Sequence, residues 1–217
     1  METSNYEQTI KWYDENAEKY SNGAQRYDCT EEIEEFAEFL PVNAKILDAG
    51  CGSGRDTKVF SDYGYECVGI DLSRGLIQQA RRRNTENNFV HGNMLNLPFQ
   101  DKSFDGIWSH ASLLHLPDVV SVENVLKEYN RISKKDAILY ISVKAQMGEK
   151  KTDVVSDSLS EHNRFFQYFT QQEMIELLRN SGYDLLDIEE YLESEKCPGG
   201  RNVGWIKILA TKQREIS

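Results

Sequence analysis

The 217-residue sequence predicts a single α/β domain, with helices covering both faces of a doubly wound, mostly parallel sheet. Three observations predict it. Short apolar runs alternate with helix-period segments along the chain, the pattern of successive βαβ units. One run, Lys45-Ile-Leu-Asp-Ala, passes into a turn dense in glycine, Gly50, Gly52 and Gly54, just where a helix should begin. The next apolar run, Tyr65 to Ile70, ends in an acid, Asp71.

The chain opens with helices. Ile10, Tyr13, Ala17 and Tyr20 recur at steps of three and four and share one face. Thr30 is placed to cap a second helix, with acids in its first turn, Ile33, Phe36, Ala37 and Leu40 as its stripe, and Pro41 after its end. The helix starting near Gly54 carries Val59 and Phe60 inward. After the second strand, Ser73 caps a helix that buries Leu76, Ile77 and Ala80. Phe89–His91 and Phe104–Trp108 suit the third and fourth strands. Residues 118–132 form a helix with Val122, Val125, Leu126, Tyr129 and Ile132 on one side. The nearly continuous apolar run Ala137–Val143 suits a fifth strand buried on both faces. Residues 144–169 read as an irregular loop, of a length that is often functional. Thr170 and Glu173 form a capping box for a helix with Met174, Leu177 and Leu178 inward and Gly182 at its C′ position. Two late strands, near 184–191 and 203–211, flank a turn at Cys197-Pro-Gly-Gly200.

Composition narrows the class. Hydrophobic residues make up 39% and charged residues 28%, an ordinary globular balance. There is no apolar run of about 18 residues, so no membrane span is expected. The first residues, METSNYEQTIKWYDEN, are polar and acidic, unlike a secretory leader. Cys29, Cys51, Cys67 and Cys197 form no CxxC pair, so reduced thiols, a cytoplasmic location and no metal site are expected. The net charge of −11 repels phosphate backbones, and nucleic acid is not expected as a partner. The basic run Arg81-Arg82-Arg83 falls near a helix end, where it complements the helix dipole.

The glycine loop joins a strand to a helix. Glycines there allow a sharp turn and close approach of a ligand, and the helix N-terminus offers free N–H groups to an anion. The dinucleotide fingerprint GxGxxG would place its third glycine at Arg55, whereas the pattern here is GxGxG, which argues against a nicotinamide dehydrogenase. Asp71 lies about 20 residues downstream, where a ribose-binding acid belongs.

In order and spacing, these segments resemble class I S-adenosylmethionine-dependent methyltransferases. Ile46–Gly54 resembles their first motif and Val68–Ser73 their second. Gly92–Phe99 and Ser103–Trp108 resemble their adenine-binding segment and fourth strand. The likeness covers most of residues 10–211. It implies a Rossmann-like sheet of seven strands with the last antiparallel. Residues 1–217 would form one domain: an N-terminal helical cap (1–42), a cofactor-binding half (43–143) and a substrate-side half (144–217). It implies S-adenosyl-L-methionine as cofactor, S-adenosyl-L-homocysteine as product, and no metal. Carried over by position, Gly50, Gly52 and Gly54, followed by Arg55, would line the methionine part, with Asp48 beneath the loop. Asp71, followed by Leu72, would hold the ribose. Asn93 and Met94 would border the adenine, and Ser109 with His110 would lie below the sulfonium. Tyr13 and Tyr20 would stand near the cofactor on the covering helix. Two departures stand out. Asn93 replaces the Asp of many relatives, and Ser133-Lys-Lys-Asp136 replaces the usual Lys-Pro-Gly-Gly turn before the fifth strand.

The implied activity is in-line transfer of a methyl group to an O, N or S atom of a small-molecule acceptor. Such a displacement chiefly needs an aligned acceptor and exclusion of water. A general base helps only when the acceptor must lose a proton early. His110 and His115 are the candidate bases, although each can equally pack or cap the following helix. Arg164 and Arg201, with His162, stand where substrates of the family enter and suggest an anionic acceptor; ion-paired or solvated arginines are the plain alternative. Trp108, with Phe165, Phe166 and Tyr168, is a candidate apolar wall or simply core. Two further readings stay open: an RNA or protein methyltransferase, which needs a basic or extended docking surface, and a non-catalytic cofactor-binding regulator on the same fold.

Overall fold

Successive side chains of a strand point to opposite faces, and in strand β1 (Lys45–Ala49) both faces are covered: Ile46 and Leu47 are each fully buried, in different cores. The computed structural model describes residues 4–25, 28–156, 160–196 and 201–214. Around β1 stand β2 (Glu66–Asp71), β3 (Asn88–His91), β4 (Phe104–His110) and β5 (Ser133–Lys144), all parallel. The small hairpin strands β6 (Thr152–Val155) and β7 (Arg164–Gln167) pair only with each other. The main sheet is completed by β8 (Tyr183–Leu192) and β9 (Gly204–Lys212), with the order β3-β2-β1-β4-β5-β9-β8. The last strand, β9, runs antiparallel to both its neighbours, so the sheet is seven-stranded with six strands parallel.

The chain begins with α1 (Asn5–Glu15), α2 (Ala17–Ala24) and α3 (Thr30–Ala37). It continues through α4 (Arg55–Asp62), α5 (Arg74–Arg83), α6 (Val119–Ile132), α7 (Gln171–Asn180) and the short α8 (Glu193–Lys196). On one face, Val122, Val125, Leu126, Met174 and Leu178 of α6 and α7 pack on Leu47, Ile107 and Leu139. On the other, Ile33, Phe36 and Phe60 of α3 and α4 pack on Ile46, Trp108 and Tyr140. In an open α/β sheet coated on both sides, the ligand crevice lies outside the carboxyl ends of the strands.

Local signals decided most boundaries. Ser73 accepts the Leu76 N–H, and Thr170 with Glu173 forms the reciprocal capping box. Gly182 takes φ +80° beyond α7. The arginine run fills the last turn of α5, where Arg81 donates to the Phe89 carbonyl and Arg83 to Asn22. Three expectations need correction. The first helical stretch is interrupted at Asn16, and its buried side is led by Thr9 and Trp12 rather than by Ile10 and Tyr13. Thr30 is the first residue of α3 and not its cap: the Asp28 carboxylate already accepts both the Thr30 N–H and its hydroxyl. The stretch 144–169 is not irregular, since it holds the β6–β7 hairpin; strands of four residues are too short to show a period-two pattern. The expected turn at Cys197–Gly200 lies outside the described residues. Cys29, Cys51 and Cys67 are free and buried. Among the described residues, no helix is long and apolar enough to cross a membrane.

Candidate active site

The crevice is built on backbone that only glycine adopts easily. Gly50, Gly52 and Gly54 take φ values of +82°, +54° and +77°. The Gly50 and Cys51 N–H groups both donate to the Ile70 carbonyl, tying the loop to the end of β2. A Cβ on Gly50 would overlap Ser112, and one on Gly54 would overlap the Phe89 ring, so these two glycines serve packing. A Cβ on Gly52 would meet nothing within 4 Å. That open side is a place in the loop where a ligand can approach the backbone.

Asp71 faces the same point from the end of β2. Its carboxylate accepts the Gly52 N–H at 2.9 Å and the Ser73 N–H at 2.8 Å. Burial pushes its pKa up, and the two N–H donors pull the other way. Leu72 beside it is half-buried, and its carbonyl is 2.9 Å from His91 Nε2. Asn93 folds its Oδ1 back onto the Leu95 N–H, and the Met94 sulfur accepts the Tyr129 hydroxyl. Ser109 is fully buried and bonded to Ser112 and Tyr129, so it supports the crevice from below. Asp48 lies deeper and accepts the Thr57 hydroxyl at 2.6 Å. Burial, then the neighbouring Asp56 charge, pushes its pKa up to about 8.

Arg55 does not reach out as a ligand. It forks onto Asp56 at 2.6 and 3.0 Å and touches the Ala24 carbonyl, Cys29 Sγ at 3.1 Å and His110 Nδ1 at 3.3 Å. Burial opposes ionisation of Asp56, but this guanidinium holds its carboxyl below the ordinary range. Cys29, Asp56 and His110 lie within 4.8 Å of one another, a donor set with metal-ligating chemistry. The Arg55 guanidinium sits among them and supplies the positive charge itself. His110 is thereby held inside this cluster, and burial pushes its pKa down to about 4. Trp108, expected against the acceptor, is fully buried: its ring stacks on Tyr140 with centroids 3.8 Å apart and its Nε1–H donates to Asp56. It is core, because the side chain at that register of β4 points into the layer of α3 and α4.

His115, in a short 3-10 turn at Leu113–His115, occupies a different position. Its Nδ1 is 2.7 Å from the Phe165 carbonyl, which can only accept, so Nδ1 carries the proton. Nε2 then accepts the Tyr13 hydroxyl at 2.9 Å. Burial pushes the ring down to about 4, with the Phe165 carbonyl opposing and Arg164 and Lys144 adding to the effect. Tyr13 meets Tyr20 edge-on at 5.0 Å. Helix α1 reaches across the crevice: Asp14 accepts Ser73 Oγ and the Gly75 N–H on one side, and Thr9 accepts the Phe165 N–H on the other. His162 pairs with Glu15 at the same closure. Arg164 lies over the Trp12 ring at 4.1 Å. Arg201 is held by Glu193 through both carboxylate oxygens at 3.2 Å.

The fold therefore brings together the glycine loop, Asp71, Tyr13 and His115, and takes Trp108 away. Trp12, Asp56, Ser112 and Lys144 were not expected from the sequence. Only Asp56 carried a local signal, as an acid directly after Arg55 at a helix start.

Comparison with known proteins fits this geometry. The methyltransferase-domain family model matches residues 47–141. A protein of Encephalitozoon cuniculi (strain GB-M1) named as a methyltransferase is 30% identical over 192 residues, 82% of this chain and 87% of that protein. The chain belongs to the methyltransferases. Among solved structures, this methyltransferase is similar in fold to a SAM-dependent methyltransferase of Methanosarcina mazei, with TM-score 0.76 and 24% identity over 87% of this chain and 100% of that one. It is also similar to the 1,6-didemethyltoxoflavin-N1-methyltransferase of Burkholderia thailandensis, a structure containing 1,6-didemethyltoxoflavin and S-adenosylhomocysteine, with TM-score 0.68 and 23% identity over 94% and 81% of the two chains. Demethylmenaquinone methyltransferase of Paenarthrobacter aurescens (strain TC1) is 32% identical over 103 residues, and the match spans 40% of its length.

Proposed function

We propose that this methyltransferase moves a methyl group from S-adenosyl-L-methionine to an O, N or S atom of a small, anionic molecule. One observation carries the reading: Gly52 offers an open side while its N–H is bonded to the Asp71 carboxylate. The cradle fits the cofactor, with bare backbone for its amino-acid end and a carboxylate for its ribose hydroxyls. Asn93 and Met94 stand where the adenine would lie. When bound, the cofactor supplies a methyl group on a positively charged sulfur that departs as a neutral thioether.

The protein's own part is alignment. Helix α1, latched to Ser73 and to Phe165, excludes water over the loop. His115, neutral and fixed as the Nδ1–H tautomer, orients the Tyr13 hydroxyl, whose oxygen can accept a hydrogen bond from the acceptor. A ring with a pKa near 4 is too weak a base to ionise a hydroxyl beforehand. The Tyr13–His115 pair therefore holds the acceptor's lone pair in line and takes its proton late, through Tyr13. His110, engaged by Arg55 and Cys29, keeps the floor of the crevice rigid.

The test is incubation with methyl-labelled cofactor and a cell extract, then separation of the label into metabolites, RNA and protein. Label in a small acid supports the proposal. Label confined to RNA or protein, or no transfer by protein that binds S-adenosylhomocysteine, refutes it.

A further inference from the structure

Lys144 ends β5 at the carboxyl side of the sheet, and neither the glycine loop nor the Tyr13–His115 pair employs it. The residue is only 9% exposed. Among the described residues its ammonium makes no hydrogen bond and no ion pair; its contact is the Phe166 ring, with the centroid 3.7 Å away. The charges that act on it are two guanidinium groups, Arg201 and Arg164, and two carboxylates, Glu193 and Asp153. Arg164 stands 5.7 Å from the same ring centroid. Burial, then Arg201 and Arg164, push the Lys144 pKa down to about 8. The two carboxylates that oppose this are engaged elsewhere: Glu193 grips Arg201 through both oxygens, and Asp153 takes Lys150 at 2.6 Å.

A partly shielded ammonium beside two guanidinium groups, with both nearby carboxylates already engaged, favours an anion from outside. The arrangement is built rather than incidental, since its members come from separate segments: Lys144 from β5, Arg164 and Phe166 from β7, and Arg201 from the approach to β9. The Phe166 ring also lies 4.8 Å from the His115 ring, so the cationic cluster adjoins the pair that faces the acceptor. On a chain of net charge −11, such a concentrated positive spot focuses small anions locally and repels large polyanions elsewhere.

We propose that Lys144, with Arg164, binds the oxyanion of the methyl acceptor, a carboxylate or a phosphate, beside the Phe166 ring that His115 also meets. Lys144 is then a specificity-determining residue: it fixes the charged end while Tyr13 orients the accepting atom. This rests on the methyl-transfer reading of the crevice. Arg201, already neutralised by Glu193, screens the mouth without being the principal ligand.

The experiment is calorimetric titration of S-adenosylhomocysteine into the wild-type protein and into Lys144→Met and Lys144→Arg, followed by sodium acetate and inorganic phosphate into each saturated protein. Methionine keeps the length and the contact with Phe166 but not the charge. All three proteins are expected to bind S-adenosylhomocysteine alike. Acetate or phosphate should bind the wild type and Lys144→Arg, and at least tenfold more weakly Lys144→Met; whichever anion binds more tightly names the group on the acceptor. In buffer free of either anion, Lys144→Met should melt no lower than the wild type. If it does not fold, Lys144→Gln supplies the same comparison. Equal anion affinity with and without the lysine, no anion binding at all, or a neutral variant that melts well below Lys144→Arg would overturn the proposal. Failure of the wild type to bind S-adenosylhomocysteine would instead overturn the cofactor reading.

Discussion

Gly52→Ala separates the ligand role of the glycine loop from its role in the fold. Gly52 sits at φ +54°, and its missing Cβ points into open space. The cost to the fold is therefore conformational only, about 1–2 kcal/mol for an L-residue in the left-handed region. For a domain of this size that lowers the melting temperature by roughly 2–8 °C. Gly54→Ala carries the same conformational cost at φ +77° and also drives a methyl group into Phe89 and Asn84. Overpacking of that kind adds about 1–3 kcal/mol, so Gly54→Ala should melt lower than Gly52→Ala. For binding the emphasis reverses. On the proposed reading, the new methyl at position 52 stands where the amino-acid end of the cofactor approaches. Affinity for S-adenosylhomocysteine should fall at least tenfold, about 1.4 kcal/mol or more. Scanning calorimetry gives the first quantity and titration calorimetry the second. A Gly52→Ala protein that binds with wild-type affinity would refute the placement of the ligand on this backbone.

Three other outcomes are expected. Asp71→Asn removes one of two carboxylate oxygens that accept Gly52 N–H and Ser73 N–H, and sets an amide donor against a backbone donor; S-adenosylhomocysteine should bind at least tenfold more weakly, by about 1.4 kcal/mol or more, and unchanged affinity would count against a ribose role. Burial lowers both His110 and His115 to about 4, so the unfolded chain takes up more protons as pH falls from about 6.5 to 4, and the two rings withdraw stability across that window. Each contributes up to about 3 kcal/mol, and urea midpoints at pH 7 and pH 5 should differ less in His115→Gln than in the wild type; an equal difference would contradict the buried placement. Trp108→Phe deletes the Nε1–H bond to buried Asp56. It should cost about 1–3 kcal/mol of stability with the acceptor KM unchanged, and a raised KM at unaltered stability would return Trp108 to the acceptor wall.

What the sequence determined by itself is whatever short-range chemistry enforces. A strand running into glycines, an acid ending the next strand, and hydroxyls placed three residues before their partner N–H groups at Ser73 and Thr170 each find their bonds nearby, so each could be read in place. The same alternation of apolar runs gave the layers and the mostly parallel sheet. Tertiary structure alone decided which polar groups meet. Tyr13 and His115 are 102 residues apart, and His115 and Phe165 are 50 apart. Trp108 was equally consistent with wall or core until α3 and α4 closed over it. Lys144 gave no signal, because at a strand end a lysine ordinarily reaches water. Phe166 of the β6–β7 hairpin shields it, among charges of both signs. Local hydrogen bonds and backbone conformations are written into neighbouring residues, whereas the burial and pairing of a charge depend on segments far apart in the chain.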